Sequence, residues 1–111
     1  MMASVPEPED RPRPEVPRWT FLTHHAQVLL VVAADRTTRV ADIAARVGIS
    51  ERATLTILGD LEESGYLTRE RVGRRTHYRV ARHRPLRHPE HRGHEIDELI
   101  AVLKPQTRAR P

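Results

Sequence analysis

The chain of 111 residues has no cysteine, and its aromatic side chains are limited to one Trp, one Phe and two Tyr. Without cysteine neither a disulfide framework nor a thiolate metal site can form, which favours an intracellular protein. The scarcity of aromatic residues in so short a chain allows one small domain with a modest hydrophobic core. Pairing of two subunits would enlarge that core.

Long apolar segments are lacking as well. The longest apolar run, Val28 to Ala34, is far shorter than the roughly 20 residues that a membrane-spanning helix needs. The acidic, proline-studded N-terminus does not resemble a secretory signal. We therefore expect a cytoplasmic protein that has no membrane partner.

Signatures of catalysis are missing: the sequence has no phosphate-cradling Gly loop and no nucleophile elbow, so an enzyme is not expected. Histidines are frequent, and His91, His94 and Asp97 follow one another at intervals of three, a spacing that can place metal ligands on one helical face. Yet His88 and His91 lie in or beside a proline-containing loop among arginines. A surface histidine cluster is the favoured interpretation, and we predict no metal and no cofactor.

Positive charge is concentrated in one part of the chain. Residues 1–64 carry 7 basic and 10 acidic side chains, which gives −3, and residues 93–111 balance at zero. Residues 65–92 carry nine arginines against Glu70 and Glu90, which gives +7 within a chain total of +4. Such a localised basic segment is typical of a surface that binds a polyanion.

Two helices are predicted at the centre of the chain. Ile43, Ala44 and Val47 share one face of a short helix, and Gly48 then supplies the left-handed conformation that ends it. Ser50 is a suitable N-cap for a second helix from Glu51 to about Ser64, whose predicted buried side chains are Ala53, Ile57, Leu58 and Leu61. Two helices joined by so short a turn are typical of a helix-turn-helix.

A β-hairpin is predicted next. Residues Leu67 to Val72 and Thr76 to Val80 alternate in the manner of strands, and Gly73-Arg74-Arg75 forms the predicted hairpin tip. Thr38 to Val40 is a candidate for a further short strand beside this hairpin.

The remaining segments complete the predicted architecture. A largely apolar helix is expected from about Thr20 to Ala34, and a last helix from His94 to Leu103. The fold class is therefore mainly α with a small β-hairpin: a winged helix-turn-helix with an additional C-terminal helix. We expect a disordered proline-rich arm over residues 1–18, the domain over residues 19–104 and a flexible tail over residues 105–111.

The stretch from Asp42 to Val80, with its segments DIAARVGIS, DLEESGYLTRE and GRRTHYRV, resembles the winged helix-turn-helix transcriptional regulators of the broad MarR-like and ArsR-like group. The resemblance implies a homodimer that binds double-stranded DNA. It also implies that the helix after the turn lies in the major groove and that the hairpin wing touches the flanking backbone.

Several side chains become candidates for DNA contact on that basis. Arg52 can bind a guanine edge or a phosphate, Thr56 can contact either, and Leu55 offers an apolar contact or, if the helix is rotated, packs inside. Arg74 and Arg75 are expected to reach phosphates or a minor groove. The full predicted set is Thr38, Arg39, Ser50, Glu51, Arg52, Leu55, Thr56, Arg69, Arg71, Arg74, Arg75 and His77.

Surplus apolar side chains near both ends of the domain predict the dimer interface, although the last helix could instead fold back on the first helix of its own chain. The predicted interface residues are Trp19, Phe21, Leu22, Leu30, Ile96, Leu99, Ile100 and Leu103.

Two alternative functions stay open at this point. One is a winged-helix module that docks a protein partner through the face bearing Leu55, and the other is a metal-responsive repressor. Whether an effector binds the protein is not determined by the sequence.

Overall fold

The computed structural model describes residues 16–103. Most of the predicted N-terminal arm, and the whole of the predicted tail over residues 105–111, lie outside these described residues. Within them the chain forms four α-helices, a two-stranded antiparallel sheet and one 3₁₀ turn. In chain order these are α1 His24–Ala34, α2 Val40–Val47, α3 Glu51–Glu63, β1 Leu67–Val72, β2 Arg75–Val80, the 3₁₀ turn Pro89–His91 and α4 Ile96–Val102.

The first helix, α1, is the centre of the core. It begins at His24, later than the predicted Thr20, because the hydroxyl of Thr23 accepts the backbone N–H of Ala26 at 3.1 Å and so caps it. All five residues from Val28 to Val32 are buried. A helix that is apolar around most of its circumference needs partners on several sides, and α1 finds them in α2, α3 and β2 of its own chain.

The predicted turn between α2 and α3 is confirmed. Gly48 adopts φ +86°, and its N–H donates to the carbonyl of Ala44 at 2.8 Å, which closes the last turn of α2. Two residues later the hydroxyl of Ser50 accepts the N–H of Ala53 at 3.0 Å and opens α3. This short connection restricts the angle between α2 and α3.

The buried face of α3 differs from the prediction at one position. Ile57, Leu58 and Leu61 are buried as expected, but Thr54 is fully buried, whereas Ala53 is only partly so. Burial of Thr54 is tolerated because its hydroxyl donates to the carbonyl of Ser50 at 2.9 Å. A polar residue therefore continues the inward-facing stripe at i, i+3, i+4 and i+7.

The hairpin pairs β1 with β2 in antiparallel register, with Leu67 opposite Val80 and Val72 opposite Arg75. Only two residues, Gly73 and Arg74, form the connection, so the prediction that Arg75 belongs to the tip is wrong. Gly73 has φ +63° at the first loop position, and no non-glycine residue within 16–103 has a positive φ. This is the pattern of a type II′ turn, whose twist matches that of the flanking strands.

The predicted strand over Thr38 to Val40 does not form. Val40 instead starts α2, and Arg39 occupies its N-cap position. A single backbone bond joins this region to the hairpin, because the N–H of Tyr78 donates to the carbonyl of Arg36 at 2.8 Å. That bond ties β2 to the α1–α2 loop without adding a strand.

The segment after β2 doubles back on itself before α4. The N–H of Leu86 donates to the carbonyl of His94 at 2.9 Å, and the N–H of Ile96 donates to the carbonyl of Arg84 at 3.0 Å. The carboxylate of Glu98 accepts the N–H of Glu95 at 3.0 Å, so α4 begins at Ile96 and not at the predicted His94. No helix in residues 16–103 has the length and apolar character needed to cross a membrane.

Substitution of Gly48, with Gly59 as the control, tests the turn between α2 and α3. A Cβ at Gly48 would lie 2.6 Å from Cγ2 of Val16 on a left-handed backbone, whereas a Cβ at Gly59, inside α3, would meet nothing within 4 Å. We predict that Gly48→Ala lowers the free energy of unfolding by roughly 1–2 kcal/mol, and that Gly59→Ala raises it by about 0.5–1 kcal/mol. Urea unfolding measures both, and equal effects of the two variants would contradict this account of the turn.

Candidate nucleic-acid interface

The N-terminal half of α3 presents a continuous exposed surface. Packing of α3 against α1, α2 and β1 leaves Glu51, Arg52, Leu55 and Thr56 exposed. The hydroxyl of Ser50 is engaged as the helix cap, so that side chain serves the helix itself. The hydroxyl of Thr56 donates to the carbonyl of Arg52 at 3.3 Å and can still accept a bond from a ligand.

Leu55 lies on the surface. It is 51% exposed, and the neighbouring Thr54 takes the inward position. The rotated-helix interpretation of Leu55 is therefore wrong. An exposed leucine between Arg52 and Thr56 offers an apolar contact of the kind that the methyl group of thymine accepts.

Arg74 at the hairpin tip is exposed to solvent. Arg71 stays close to the turn, with its Nε donating to the carbonyl of Gly73 at 3.4 Å. Arg75 is only partly exposed, and its Nε is buried without a hydrogen-bond partner. Of the two arginines predicted at the tip, Arg74 is thus the one free to reach a ligand.

Arg69 is held by α3. Its Nε and Nη2 both donate to Oε1 of Glu62, at 3.0 and 2.6 Å. In the strand register Arg69 lies opposite Tyr78, on the hairpin face that packs against the helices. This ion pair joins the hairpin to α3, and it removes Arg69 from the side chains available to a ligand.

Two predicted residues precede α2, and they differ in exposure. Thr38 is buried, with 8% of its surface exposed. Arg39 is exposed at the N-cap of α2. Of these two residues, Arg39 is the one placed for a contact with a phosphate.

Most arginines of this surface have no acidic partner. Within residues 16–103 the ion pairs closer than 4.0 Å engage only Arg69 and Arg82 among the arginines. Exposed Arg79 belongs to the unpaired set, although the sequence prediction omitted it. The signal was present, since strand alternation places Arg79 on the same hairpin face as Arg75 and His77. His77 itself is partly buried.

Together, α2, the turn at Gly48 and α3 form a helix-turn-helix, and the arginine-bearing hairpin follows it as a wing. Residues 24–68 match the family model of winged helix-turn-helix DNA-binding domains. The matched segment contains α1, α2, α3 and the first two residues of β1, and the hairpin beyond it completes the fold. No curated protein matches the chain. The match supports a DNA-binding role, while the narrower MarR-like or ArsR-like resemblance stays a prediction.

The apolar residues predicted for a dimer interface differ widely in burial in this winged helix-turn-helix domain. Leu30, Ile96 and Ile100 are buried within the chain's own core. Trp19 and Phe21 are 65% and 92% exposed, and their rings meet edge to face with centroids 5.0 Å apart. Among the remaining predicted residues, Leu103 is exposed, whereas Leu22 and Leu99 are partly buried.

Two histidines after β2 each contact one carboxylate. Nδ1 of His83 lies 3.0 Å from Glu95, and Nδ1 of His94 lies 2.7 Å from Glu98. The hydrogen bond from His94 holds the pKa of Glu98 below its usual value. Across residues 16–103 no three His, Cys, Asp or Glu side chains come together as a metal site.

His83 gives a test of this segment by pH. Its hydrogen bond to Glu95 and the negative charge of that carboxylate raise the pKa of His83 above the usual 6.5. The contact therefore stabilises the fold fully below pH 6.5 and is lost as pH rises through the folded pKa. We predict that Glu95→Gln lowers the pKa of His83, as measured from its imidazole proton shifts by NMR. Glu90→Gln is the matched control, and an equal effect of both variants would contradict the assigned contact.

Proposed function

We propose that the protein is a transcriptional regulator that binds duplex DNA as a homodimer. In this proposal the N-terminal half of α3 enters the major groove, and the β1–β2 hairpin touches the backbone beside it. One observation carries the proposal: the exposed face of α3 lies within the segment that matches DNA-binding domains, and the adjoining hairpin carries exposed arginines that have no carboxylate within 4.0 Å among residues 16–103.

The dimensions and side chains of α3 suit a major groove. An α-helix with its side chains is about 10–12 Å across, close to the roughly 12 Å width of the groove. Arg52 is exposed and has no carboxylate within 4.0 Å among residues 16–103, so its two terminal nitrogens can bind a guanine edge. Glu51, Leu55 and Thr56 supply an acceptor for cytosine, an apolar contact for thymine and a hydroxyl.

The hairpin and the loop before α2 are proposed to contact phosphates. Arg74, Arg71 and Arg79 on the hairpin, together with Arg39 ahead of α2, are exposed. Such contacts orient a protein on the duplex and add sequence-independent affinity. We omit Thr38 because it is buried, and Arg69 because Glu62 holds it.

The two kinds of contact respond differently to substitution. We predict that Arg52→Ala changes the preferred DNA sequence and weakens binding to the preferred site by roughly 1–3 kcal/mol. Arg74→Ala should weaken binding to all sequences alike and reduce the slope of log K against log salt by about 0.9 for a single phosphate contact. Fluorescence anisotropy over a range of salt concentrations measures both effects.

Arg46→Ala is the matched control for these variants. Arg46 is exposed in the last turn of α2 and belongs to neither proposed contact set, so its removal reports only the loss of one positive charge. A salt slope in Arg74→Ala equal to that of Arg46→Ala would remove the wing from the proposal. Selection of bound fragments from a random DNA pool supplies the test sequence, and failure to enrich any sequence would overturn specific binding.

A homodimer is proposed because aromatic surface stays uncovered near the start of the domain. The Trp19–Phe21 pair, together with Val102 and Leu103 at the end of α4, exposes large apolar side chains to solvent. Exposed apolar patches in small domains are commonly covered by subunit pairing. In a two-fold dimer the two α3 helices would read half-sites about 34–36 Å apart.

The dimer interface can be tested independently of DNA. We predict that the double variant Trp19→Ser and Phe21→Ser shifts the dimer–monomer equilibrium toward monomer in sedimentation equilibrium, because it removes the exposed aromatic pair. Val72→Ser is the control, since Val72 is an exposed apolar residue on the hairpin. A wild-type protein that sediments as a monomer at micromolar concentration would contradict the proposed dimer.

A further inference from the structure

An open pocket lies at the base of the hairpin, where α3 ends and β1 begins. Its volume is about 560 Å³, within the roughly 300–1,000 Å³ typical of small-molecule sites. Three segments form it: the end of α3, Tyr66 immediately before β1, and the loop between β2 and α4. The lining residues are Glu63, Ser64, Tyr66, Arg84, Pro85, Leu86, Arg87 and Arg92.

The guanidinium of Arg84 is fixed in the wall of this pocket. Its Cζ lies 5.5 Å from the ring centroid of Tyr66, a cation–π contact. A Cβ on Gly65 would come within 2.9 Å of the same carbon, so the glycine leaves space for the guanidinium against the backbone. The hydroxyl of Tyr66 donates to the carbonyl of Pro85 and holds the two walls together.

Arg87 and Arg92 complete a positive lining. Nη1 of Arg87 donates to the hydroxyl of Ser64 at 3.4 Å, which draws its side chain toward the end of α3. Neither of these arginines, nor Arg84, has a carboxylate within 4.0 Å among residues 16–103. Glu63 is the single acidic residue of the lining, so three positive charges face one negative charge.

We infer that this pocket binds a small organic oxyanion, a carboxylate or phosphate with a short apolar body. Guanidinium groups bind such oxyanions through paired N–H donors. Arg84, Arg87 and Arg92 supply the donors, and Pro85 and Leu86 supply an apolar surface beside them. Because packing and the Ser64 bond already restrain Arg84 and Arg87, little side-chain freedom is lost on binding.

The oxyanion pocket is distinct from the proposed DNA surface. Arg52 lies at the start of α3 and the pocket at its end, and the 13 residues of the helix span about 20 Å at roughly 1.5 Å per residue. The lining arginines also follow β2, away from the turn at Gly73 and Arg74. We therefore expect a small anion to bind while DNA is held at Arg52 and Arg74, with Arg79 as the proposed DNA contact nearest the pocket.

The experiment is a titration of the full chain with phenyl phosphate, inorganic phosphate, benzoate and phenol, at ionic strength held constant with chloride. NMR signals of the arginine Nε–H groups report binding, and thermal unfolding reports stabilisation. We expect saturable shifts at Arg84 and Arg87 and a raised Tm with phenyl phosphate. Inorganic phosphate should bind more weakly because it lacks the apolar body, and phenol should not bind. Comparison with benzoate shows whether phosphate or carboxylate is preferred.

Two double variants that remove the same positive charge distinguish binding in the pocket from a non-specific effect of net charge. The double variant Arg87→Gln and Arg92→Gln should weaken phenyl phosphate binding roughly ten-fold or more, the loss of about 1.4 kcal/mol or more. Arg36→Gln with Arg46→Gln removes the same charge at exposed sites outside the pocket and should leave binding unchanged. Neither pair includes Arg84, whose packing on Tyr66 could matter for folding.

Two results would overturn the inference. One is a set of shifts that rise linearly with anion concentration, or that are the same in both double variants. The other is a loss of DNA affinity in Arg87→Gln with Arg92→Gln as large as that in Arg74→Ala, without saturable anion binding. That outcome would assign these arginines to the DNA surface instead. Saturable anion binding together with failed DNA binding would support the pocket while contradicting the proposed regulator.

Discussion

Burial of α1 on several sides is the constraint on which the rest of the structure depends. Val28 to Val32 are all withdrawn from solvent, and an isolated helix of that composition would expose apolar surface in every direction. Contacts with α2, α3 and β2 cover it. Because these elements are fixed against one helix, the angle of α3 and the position of the hairpin follow from the same packing. The bond between His25 and Asp60, at 2.8 Å, adds a polar link from α1 to α3.

The arginines of the basic segment, residues 65–92, differ in whether they pair with a carboxylate, and this difference gives them different roles. Glu62 fixes Arg69 and Asp97 fixes Arg82, so these two arginines connect elements of the fold. Among residues 16–103 the other arginines of this segment have no carboxylate within 4.0 Å. They occupy two places: Arg71, Arg74, Arg75 and Arg79 lie on the hairpin, and Arg84, Arg87 and Arg92 line the oxyanion pocket. A single basic segment in the sequence thus becomes two separate positive surfaces, one proposed for DNA and one for a small anion.

Much of the fold could be predicted because its signals are local. Gly48, Ser50 and Gly73 each fix a turn or cap through their own backbone preferences, and the apolar spacing of α2 and most of α3 identifies their buried faces. The errors arose where packing between elements decides the outcome. Thr54 is buried on the side of α3 that packs against α1, α2 and β1, and its bond to the Ser50 carbonyl makes that burial tolerable. Residues 38–40 form no strand because the hairpin makes only one backbone bond to the α1–α2 loop.

The sequence predicted which residue types form the candidate site and in which region they lie. It did not predict which of those side chains are exposed and able to contact a ligand. The sequence by itself determined the helix-turn-helix, the hairpin and the concentration of arginines after Gly65, since each depends on neighbours along the chain. Only the tertiary structure decided that Arg69 pairs with Glu62, while Arg74 has no carboxylate within 4.0 Å in the described part of the chain. It also decided that Arg84 packs on Gly65 and Tyr66, nearly twenty residues away. Those outcomes depend on contacts between side chains that are distant in sequence, and neither periodicity nor composition specifies such contacts.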